Sequence, residues 1–273
     1  MKPSRSLGET ESRFLAELAS RDKTIFTTED ARRVSGKSVA AVDLLISRLT
    51  KKKWLIRLNR GTHLIVPLSA GQSAEYSENW YVVAKYLIEP AAYYLSHFSA
   101  LEIHAMTTQP VLTVCISTPI RRISKKIAGA TYRFVTTGAD DLWGTEEIWA
   151  TPGERVRVSD IERTIIDCLD RPDLSGGIVE VATGLWAIRD RIDYARLVEY
   201  ARRLGRKSVA KRLGFLLEMF ELCTPETLAG LEALITSSYT LLDPTLPATG
   251  RYVSTWKVRV NIDPDEIRSA TTT

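Results

Sequence analysis

The 273-residue chain has few of the residues on which several classes of protein depend. Its three cysteines, Cys115, Cys168 and Cys223, are odd in number and far apart, so a disulfide framework is not expected. It has only three histidines, and His-Glu-x-x-His, paired Cys-x-x-Cys and glycine-rich phosphate-loop motifs are all missing. We therefore expect neither a metal site nor a bound cofactor.

Long apolar runs are missing as well. No stretch approaches the roughly 20 apolar residues of a membrane-spanning helix, and the first ten residues have no apolar core like that of a signal peptide. The composition, 44% hydrophobic and 26% charged, is that of an ordinary globular protein. These features predict a cytoplasmic protein with no membrane partner.

The net charge of +4 is distributed unevenly along the chain. Residues 1–68 contain 14 Lys and Arg against 7 Asp and Glu, whereas the remaining 205 residues contain 23 against 26. Between Lys37 and Arg60 there are seven cations and one acid, Asp43. A basic module on a slightly acidic body predicts a polyanion as the partner of the first module.

The basic region has the element order of a winged helix-turn-helix. Thr27 and Asp30 form a capping-box pattern for a helix over 28–35, and Gly36 supplies a sharp turn. Ser38 can cap a second helix to about Lys52, on which an apolar stripe recurs at helical spacing. Two β-prone runs around Asn59-Arg60-Gly61 then predict a hairpin. A helix over about 9–20 would complete the base of this DNA-binding fold.

The residues expected to contact DNA lie opposite the apolar stripe and on the hairpin. Small residues near the helix start suit a major groove, and the cations that follow suit phosphate. Leu44 is assigned either to a thymine methyl group or to packing against the wing. The predicted DNA-binding residues are Lys37, Ser38, Ala40, Ala41, Leu44, Ser47, Arg48, Lys51, Lys52, Arg57, Asn59 and Arg60.

The rest of the chain predicts a second, larger domain. We expect a winged helix-turn-helix at 1–68, a linker at 69–79, and an α+β domain at 80–273 with an antiparallel or mixed sheet and a C-terminal helical region. Four strands are predicted over 111–158 and several helices from Ser159 to about Thr236. A late strand over 254–261 is expected to return to the sheet.

One acidic cluster could carry chemistry: Asp160, Glu162, Arg163, Asp167 and Asp170. Carboxylates at this density suit a divalent ion for nuclease or nucleotidyl chemistry. Structural roles are favoured, because Ser159-x-x-Glu162 is a capping box and Arg163 can pair with Asp167 four residues on. No catalytic residue is therefore assigned. A hydrolase built on Ser96 or Ser99 with His97 is discounted, since neighbouring residues on a helix point in divergent directions.

Two further features suggest secondary contacts. A second basic run is either a solvated helix face or a secondary phosphate or acidic-partner contact, and it consists of Arg202, Arg203, Arg206, Lys207, Lys211 and Arg212. Trp143 lies in a polar loop and is the one candidate for a partner-binding anchor, whereas Trp149, Trp186 and Trp256 are assigned to the core.

Taken in order, these segments resemble the AbiEi family of antitoxins from bacterial abortive-infection, type IV toxin–antitoxin systems. The resemblance lies in residues 60–67, 94–101, 159–167 and 256–261. It implies a winged-helix repressor that binds inverted repeats in its own promoter, with a C-terminal domain involved in antitoxicity. It also implies a neighbouring nucleotidyltransferase-like toxin, and leaves open whether the two proteins touch. His63 departs from the aromatic residue expected in the wing motif, which places the packing of the wing in question.

Two alternatives stay open at this point. The first is a winged-helix regulator unrelated to a toxin, whose C-terminal domain senses a small ligand. The second is a metal-dependent enzyme acting on nucleic acid through the region from Asp160 to Asp170.

Overall fold

The computed structural model describes residues 5–21, 23–71, 76, 78–110, 112–127 and 129–269. The chain forms two compact units, the first from Met1–Ala92, Ser124–Tyr132 and Trp149–Val156, and the second from the remaining stretches. The first unit therefore runs past the predicted boundary at 68 and includes two later segments. Residues 72–75 and 77 of the predicted linker lie outside the described residues, so the linker stays a prediction.

The winged helix-turn-helix lies within the first unit. Its elements are α1 (Glu9–Ala19), β1 (Ile25–Thr27), α2 (Thr28–Ser35), α3 (Val39–Lys51), β2 (Leu55–Asn59) and β3 (Thr62–Ile65), followed by α4 (Trp80–Ile88). The three strands form an antiparallel sheet of order β1-β3-β2. The sequence patterns missed β1, because a three-residue strand is too short to show a periodicity.

Local chemistry explains how the two central helices meet. The hydroxyl of Thr27 accepts a hydrogen bond from the Asp30 backbone at 3.1 Å, and the Asp30 carboxylate accepts one from the Thr27 backbone at 2.9 Å. This reciprocal cap begins α2 as predicted. Gly36 ends it with φ of +61°, a conformation that favours glycine. The turn sets α3 against a core that includes Phe14, Leu18 and Phe26.

The remaining elements are mostly those of the second unit. They are β4 (Tyr94–Leu95), α5 (Phe98–Ile103), β5 (Thr113–Thr118), β6 (Lys125–Ile127), β7 (Ala130–Thr136), β8 (Thr145–Thr151), β9 (Glu154–Ser159), α6 (Ile161–Asp170), α7 (Ile178–Ala187), α8 (Tyr194–Leu204), α9 (Lys207–Met219), α10 (Pro225–Glu232), β10 (Thr240–Leu241), β11 (Arg251–Val253), β12 (Val258–Val260) and α11 (Pro264–Ser269). One sheet has the order β6-β7-β5-β4-β9-β8, and β10-β12-β11 form a separate small sheet.

The predicted α+β class with C-terminal helices is confirmed, and several element boundaries are corrected. The late strand is shortened to Val258–Val260, because residues 254–257 form a turn, and it joins the small three-stranded sheet and not the six-stranded one. The helix predicted over 96–106 shortens to α5. No helix in the described ranges is long and apolar enough to cross a bilayer.

The N-cap residues of α6 and α9 also differ from those that the sequence pattern favours. Asp160, and not Ser159, caps α6 by accepting the Arg163 N–H at 2.8 Å. α9 begins at Lys207 with Arg206 at its cap position, whereas the sequence pattern also permits a later start capped by Ser208. The second unit packs these helices around one apolar core, in which Leu185, Leu213 and Trp256 are fully buried.

Candidate nucleic-acid interface

The apolar face of α3 fixes which of its residues reach solvent. Val42, Leu45, Ile46 and Leu49 are buried in the core of the N-terminal unit. Val39, the first residue of α3, is 51% exposed although it falls on the helical spacing of the apolar stripe. The side of α3 opposite this core is therefore free to meet a partner.

Most of the predicted contact residues lie on that open side. Lys37, Ser38, Ala40, Ala41, Leu44, Ser47, Arg48 and Lys51 are all exposed. Leu44 is 52% exposed, so about half of its side chain is accessible to a partner. Whether these residues touch DNA stays a prediction, but they share one accessible helix face, as a major-groove contact requires.

Lys52 departs from its predicted role. Its ammonium donates to both carboxylate oxygens of Glu11, at 2.7 and 2.9 Å, and so joins the end of α3 to α1. This hydrogen bond lowers the pKa of Glu11, helped by the backbone N–H of Gly8. Lys52 is thus paired inside the module, and whether it also contacts phosphate stays a prediction.

The wing is a short hairpin whose turn is held from two sides. Gly61 adopts φ of +77°, and its carbonyl accepts the backbone N–H of Thr28 at 2.7 Å. The side-chain amide of Asn59 donates to the carbonyls of Leu87 at 2.8 Å and Tyr86 at 3.3 Å. The amide of Asn59 therefore fastens the wing to the end of α4, and its predicted DNA contact stays a prediction.

The cations of the wing stay accessible. Arg57 and Arg60 are both exposed, and the guanidinium of Arg57 donates to the carbonyl of Asn59 at 3.3 Å. The hydrogen-bonded hairpin therefore presents two accessible cations, Arg57 and Arg60. The roles of Tyr86 and Leu87 could not be predicted from the sequence, because these residues accept the hydrogen bonds through their backbone carbonyls.

His63 takes the place of the aromatic residue that the wing motif led us to expect. Its ring stacks on Phe26, with centroids 5.6 Å apart and an interplanar angle of 27°, and it is buried. Burial lowers the pKa of His63, and the neighbouring Arg57 lowers it further. A neutral imidazole thus fills an aromatic position, and the packing of the wing is preserved.

This burial predicts a pH dependence that can be measured. Because the pKa of His63 is lower in the folded than in the unfolded chain, its contribution to stability is complete above about pH 6.5 and declines as the pH falls below that value. We expect the unfolding free energy of His63→Phe, relative to that of wild type, to increase as the pH falls from 7.5 to 5.5. Urea denaturation measures both values. A difference between the two proteins that does not vary with pH would contradict this assignment.

The second basic run does not form one surface. Lys211 is fully buried and donates to Thr236 and Ser238. Arg212 is buried too and donates to the carbonyls of Leu169 at 2.7 Å and Leu241 at 3.1 Å. Their predicted role in a patch is wrong, because the side of α9 that carries them packs inside the second unit.

The other four cations of that run are exposed. Arg206 pairs with Asp170 at 2.8 Å, and the guanidinium of Arg203 lies 4.6 Å from the Trp143 ring centroid. Arg202 and Lys207 are the remaining exposed members. The exposed basic patch therefore has four cations and not the predicted six, and one of the four is paired with a carboxylate.

Trp143 is part of a buried cluster and not an anchor for a partner. Its ring lies 3.8 Å from the guanidinium carbon of Arg163 and meets the Tyr200 ring edge-on at 4.8 Å. Trp149 was assigned to the core, but it is 60% exposed. The guanidinium carbon of Arg155 lies 4.3 Å from the centroid of its ring. A polar loop sequence does not reveal which side of the loop faces the core.

The carboxylates of the acidic cluster are each engaged by neighbours. Asp167 pairs with Arg163 at 2.8 Å as predicted, and also accepts the hydroxyl of Tyr94 at 3.0 Å. Glu162 does not cap its own helix; it accepts the Asp193 N–H at 2.8 Å and pairs with Arg196. Among the described residues no group of His, Cys, Asp and Glu is arranged to hold a metal ion.

Ser96 and His97 do meet, contrary to the argument that discounted them. His97 precedes α5 with φ of +53°, so its Nδ1 lies 2.8 Å from the Ser96 hydroxyl, which also accepts the Ser117 hydroxyl at 2.8 Å. All three side chains are buried, and burial lowers the pKa of His97 to about 3. The cluster is inaccessible to a substrate, so it supports the second unit from within.

A cleft of about 1040 Å³ lies in the first unit. Its lining includes Leu15, Ile25, Trp54 and Tyr86. The ligand-sensing alternative placed its site in the C-terminal domain, so this cleft does not correspond to it.

Comparison with known proteins bears on the N-terminal module and on the fold. Residues 13–65 match the family described as "Transcriptional regulator, AbiEi antitoxin", which confirms the resemblance read from the sequence. No curated protein matches the chain. The fold is similar to that of the RV2827C protein from Mycobacterium tuberculosis, with a TM-score of 0.74 over 100% of this chain and 98% of that one, at 16% identity.

Proposed function

From the match of residues 13–65 to the AbiEi antitoxin transcriptional regulators, we propose that the chain is a DNA-binding autorepressor and the antitoxin of a type IV toxin–antitoxin system. The observation that carries the proposal is the accessible face of α3, where small residues are followed by Arg48 and Lys51. Arg57 and Arg60 add cations on a fastened wing. Together they offer a positive surface to a double helix in the cytoplasm.

Each part of this surface has a different role in the proposal. Lys37, Ser38, Ala40, Ala41 and Leu44 approach base edges, where bulk must be low. Arg48, Ser47 and Lys51 hold phosphate, as do Arg57 and Arg60 from the wing, and these contacts fix register without reading sequence. Residues 1–68 then serve DNA binding, and residues 80–273 serve antitoxicity.

The proposed toxin is nucleotidyltransferase-like and encoded beside this chain. The proposal requires that co-expression with this chain relieve toxicity, with or without a stable complex. Co-expression in a growth assay, followed by affinity capture of one protein with the other, separates the two modes of action. Persistent toxicity in the presence of the full chain would exclude the antitoxin role while leaving DNA binding untouched.

DNA binding is tested on the full-length chain with a duplex from its own promoter and a scrambled duplex of equal length. Arg48→Ala/Lys51→Ala is expected to weaken binding to both, since phosphate contacts contribute to every sequence. Arg121→Ala/Arg133→Ala removes the same charge from exposed positions of the second unit outside the second basic run, and serves as the matched control. Equal losses in the two double variants would contradict the placement of the interface on α3.

The wing makes a separate prediction through Arg60. Arg60→Ala is expected to weaken all duplexes about evenly and to reduce the slope of log K against log salt by about one unit. Fluorescence anisotropy over a salt series measures that slope. If Arg60→Ala changed the affinity for only one sequence, Arg60 would be a base reader and the division of roles would be wrong.

Base reading by Leu44 is tested through the thymine methyl group, which apolar side chains contact in the major groove. Replacing dT by dU throughout the promoter duplex is expected to weaken binding by wild type several-fold, with a much smaller effect on Leu44→Ala. Ser47→Ala is the control on the same helix face. If dU weakened both proteins equally, the methyl contact would be assigned elsewhere while DNA binding itself would stand.

A further inference from the structure

The small sheet of the second unit has two unlike faces. On one face Val258 and Val260 are buried in the helical core, and the adjoining Trp256 is fully buried. On the other face Tyr252 is the cross-strand partner of Arg259. The sheet is therefore anchored on its inner side, and its outer side is available to solvent.

Two exposed aromatic rings lie together on the outer side. Tyr239 is 44% exposed and Tyr252 58% exposed, and their rings meet edge-on with centroids 4.8 Å apart. The Arg259 guanidinium carbon lies 5.1 Å from the Tyr252 centroid, and the Lys257 ammonium lies 5.8 Å from that of Tyr239. A rigid pair of aromatic rings is thus bordered by cations.

These cations are not neutralised within the part of the chain that the structure describes. Neither Lys257 nor Arg259 has a carboxylate within ion-pair distance there. Lys257 also contributes to lowering the pKa of the buried Lys211, after burial itself. A positive surface with stacking faces is complementary to phosphates joined to unpaired bases, since base–aromatic stacking and cationic grooves together hold single strands.

We propose that this outer face, formed by Tyr239, Tyr252, Lys257 and Arg259, binds single-stranded RNA. Base faces stack on the two tyrosines, and phosphates lie against the cations. Ser254 and Thr255 are exposed in the turn between β11 and β12, and in this proposal their hydroxyls meet the ribose 2′-OH. Duplex DNA is assigned to the first unit, so this site is separate from the proposed promoter contact.

The test uses the full-length chain and fluorescein-labelled rU12, with dT12 and the promoter duplex measured in parallel. Tyr252→Ala is expected to weaken rU12 binding about tenfold and to leave duplex binding unchanged. Tyr252→Phe retains the stacking face and is expected to bind rU12 like wild type. Arg259→Ala should also lower the salt slope for rU12 by about 0.7 unit.

The Arg48→Ala/Lys51→Ala protein shows which surface holds the strand. It is expected to lose duplex affinity and keep rU12 affinity. The proposal is overturned if rU12 does not bind, if Tyr252→Ala binds it like wild type, or if the Arg48→Ala/Lys51→Ala protein loses it. Binding of dT12 as tight as rU12 would overturn the assignment to RNA. Failure of duplex binding alone would affect only the promoter proposal.

Discussion

Arg163→Met is expected to lower the free energy of unfolding by about 3–5 kcal/mol. Arg163 is almost fully buried, and its guanidinium donates to Asp167 at 2.8 Å and to the Tyr94 hydroxyl at 3.0 Å. It also lies over the ring of Trp143. Methionine keeps much of the length and apolar contact, but it leaves the Asp167 carboxylate buried without its cation.

The loss in Arg163→Met should depend on pH. Burial raises the pKa of Asp167 to about 6 in the native protein, against the opposing effect of Arg163. Without Arg163 this pKa rises further, so the folded variant takes up a proton that the unfolded chain does not bind near neutrality. The variant is therefore expected to be closer to wild type at pH 5 than at pH 8 in urea denaturation.

Two matched variants isolate the cause. Arg163→Met/Asp167→Leu removes both charges and is expected to recover much of the lost stability. Arg206→Ala breaks the pair with Asp170, in which the arginine side chain is 59% exposed, and should change stability by less than about 1 kcal/mol. An Arg163→Met protein as stable as Arg206→Ala would show that the buried pair contributes little.

Gly214→Ala is expected to destabilise the second unit by about 3 kcal/mol or more, at the upper end of overpacking effects. A Cβ at this position in α9 would lie 2.1 Å from the ring of Trp256, which is fully buried. The indole N–H donates to Glu218 at 2.8 Å, which limits how far the ring can move. Alanine favours a helix over glycine by about 1 kcal/mol, too little to offset this overlap.

Another glycine in the helices of the second unit serves as the control. Gly230 lies in α10, where an added Cβ would meet a methyl group of Val198 at 3.1 Å. Because this contact is with one rotatable side chain, Gly230→Ala should change the thermal midpoint little. If Gly214→Ala melted at the wild-type temperature by tryptophan fluorescence, the close packing of Trp256 on α9 would be wrong.

Local signals in the sequence were sufficient to predict the helices and the hairpin of the winged helix-turn-helix. The reciprocal cap at Thr27 and Asp30, the left-handed Gly36 and the turn at Gly61 each act over a few residues. Their chemistry is therefore visible in the order of residues alone. The same kind of local signal marks both ends of α8, which begins at its cap Asp193 and ends at the left-handed Gly205.

Residues whose roles depend on distant partners were assigned less well. Lys211 and Arg212 look like a solvated basic run, yet both are held by backbone carbonyls or hydroxyls of residues far away in sequence. Asn59 looks like a wing contact, yet its partners are carbonyls in α4. Charge and polarity in a sequence do not reveal burial, because a buried cation needs only oxygen acceptors that any segment can supply.

The N-terminal unit takes in residues from three separate stretches of the chain, 1–92, 124–132 and 149–156. No single cleavage releases it intact, so a truncated chain that stops after the wing loses α4 and the fastening of Asn59. Deletions confined to the middle of the chain are then expected to disturb the proposed DNA binding as well as the proposed antitoxin activity. For this protein, loss-of-function alleles will not sort cleanly by half of the coding sequence.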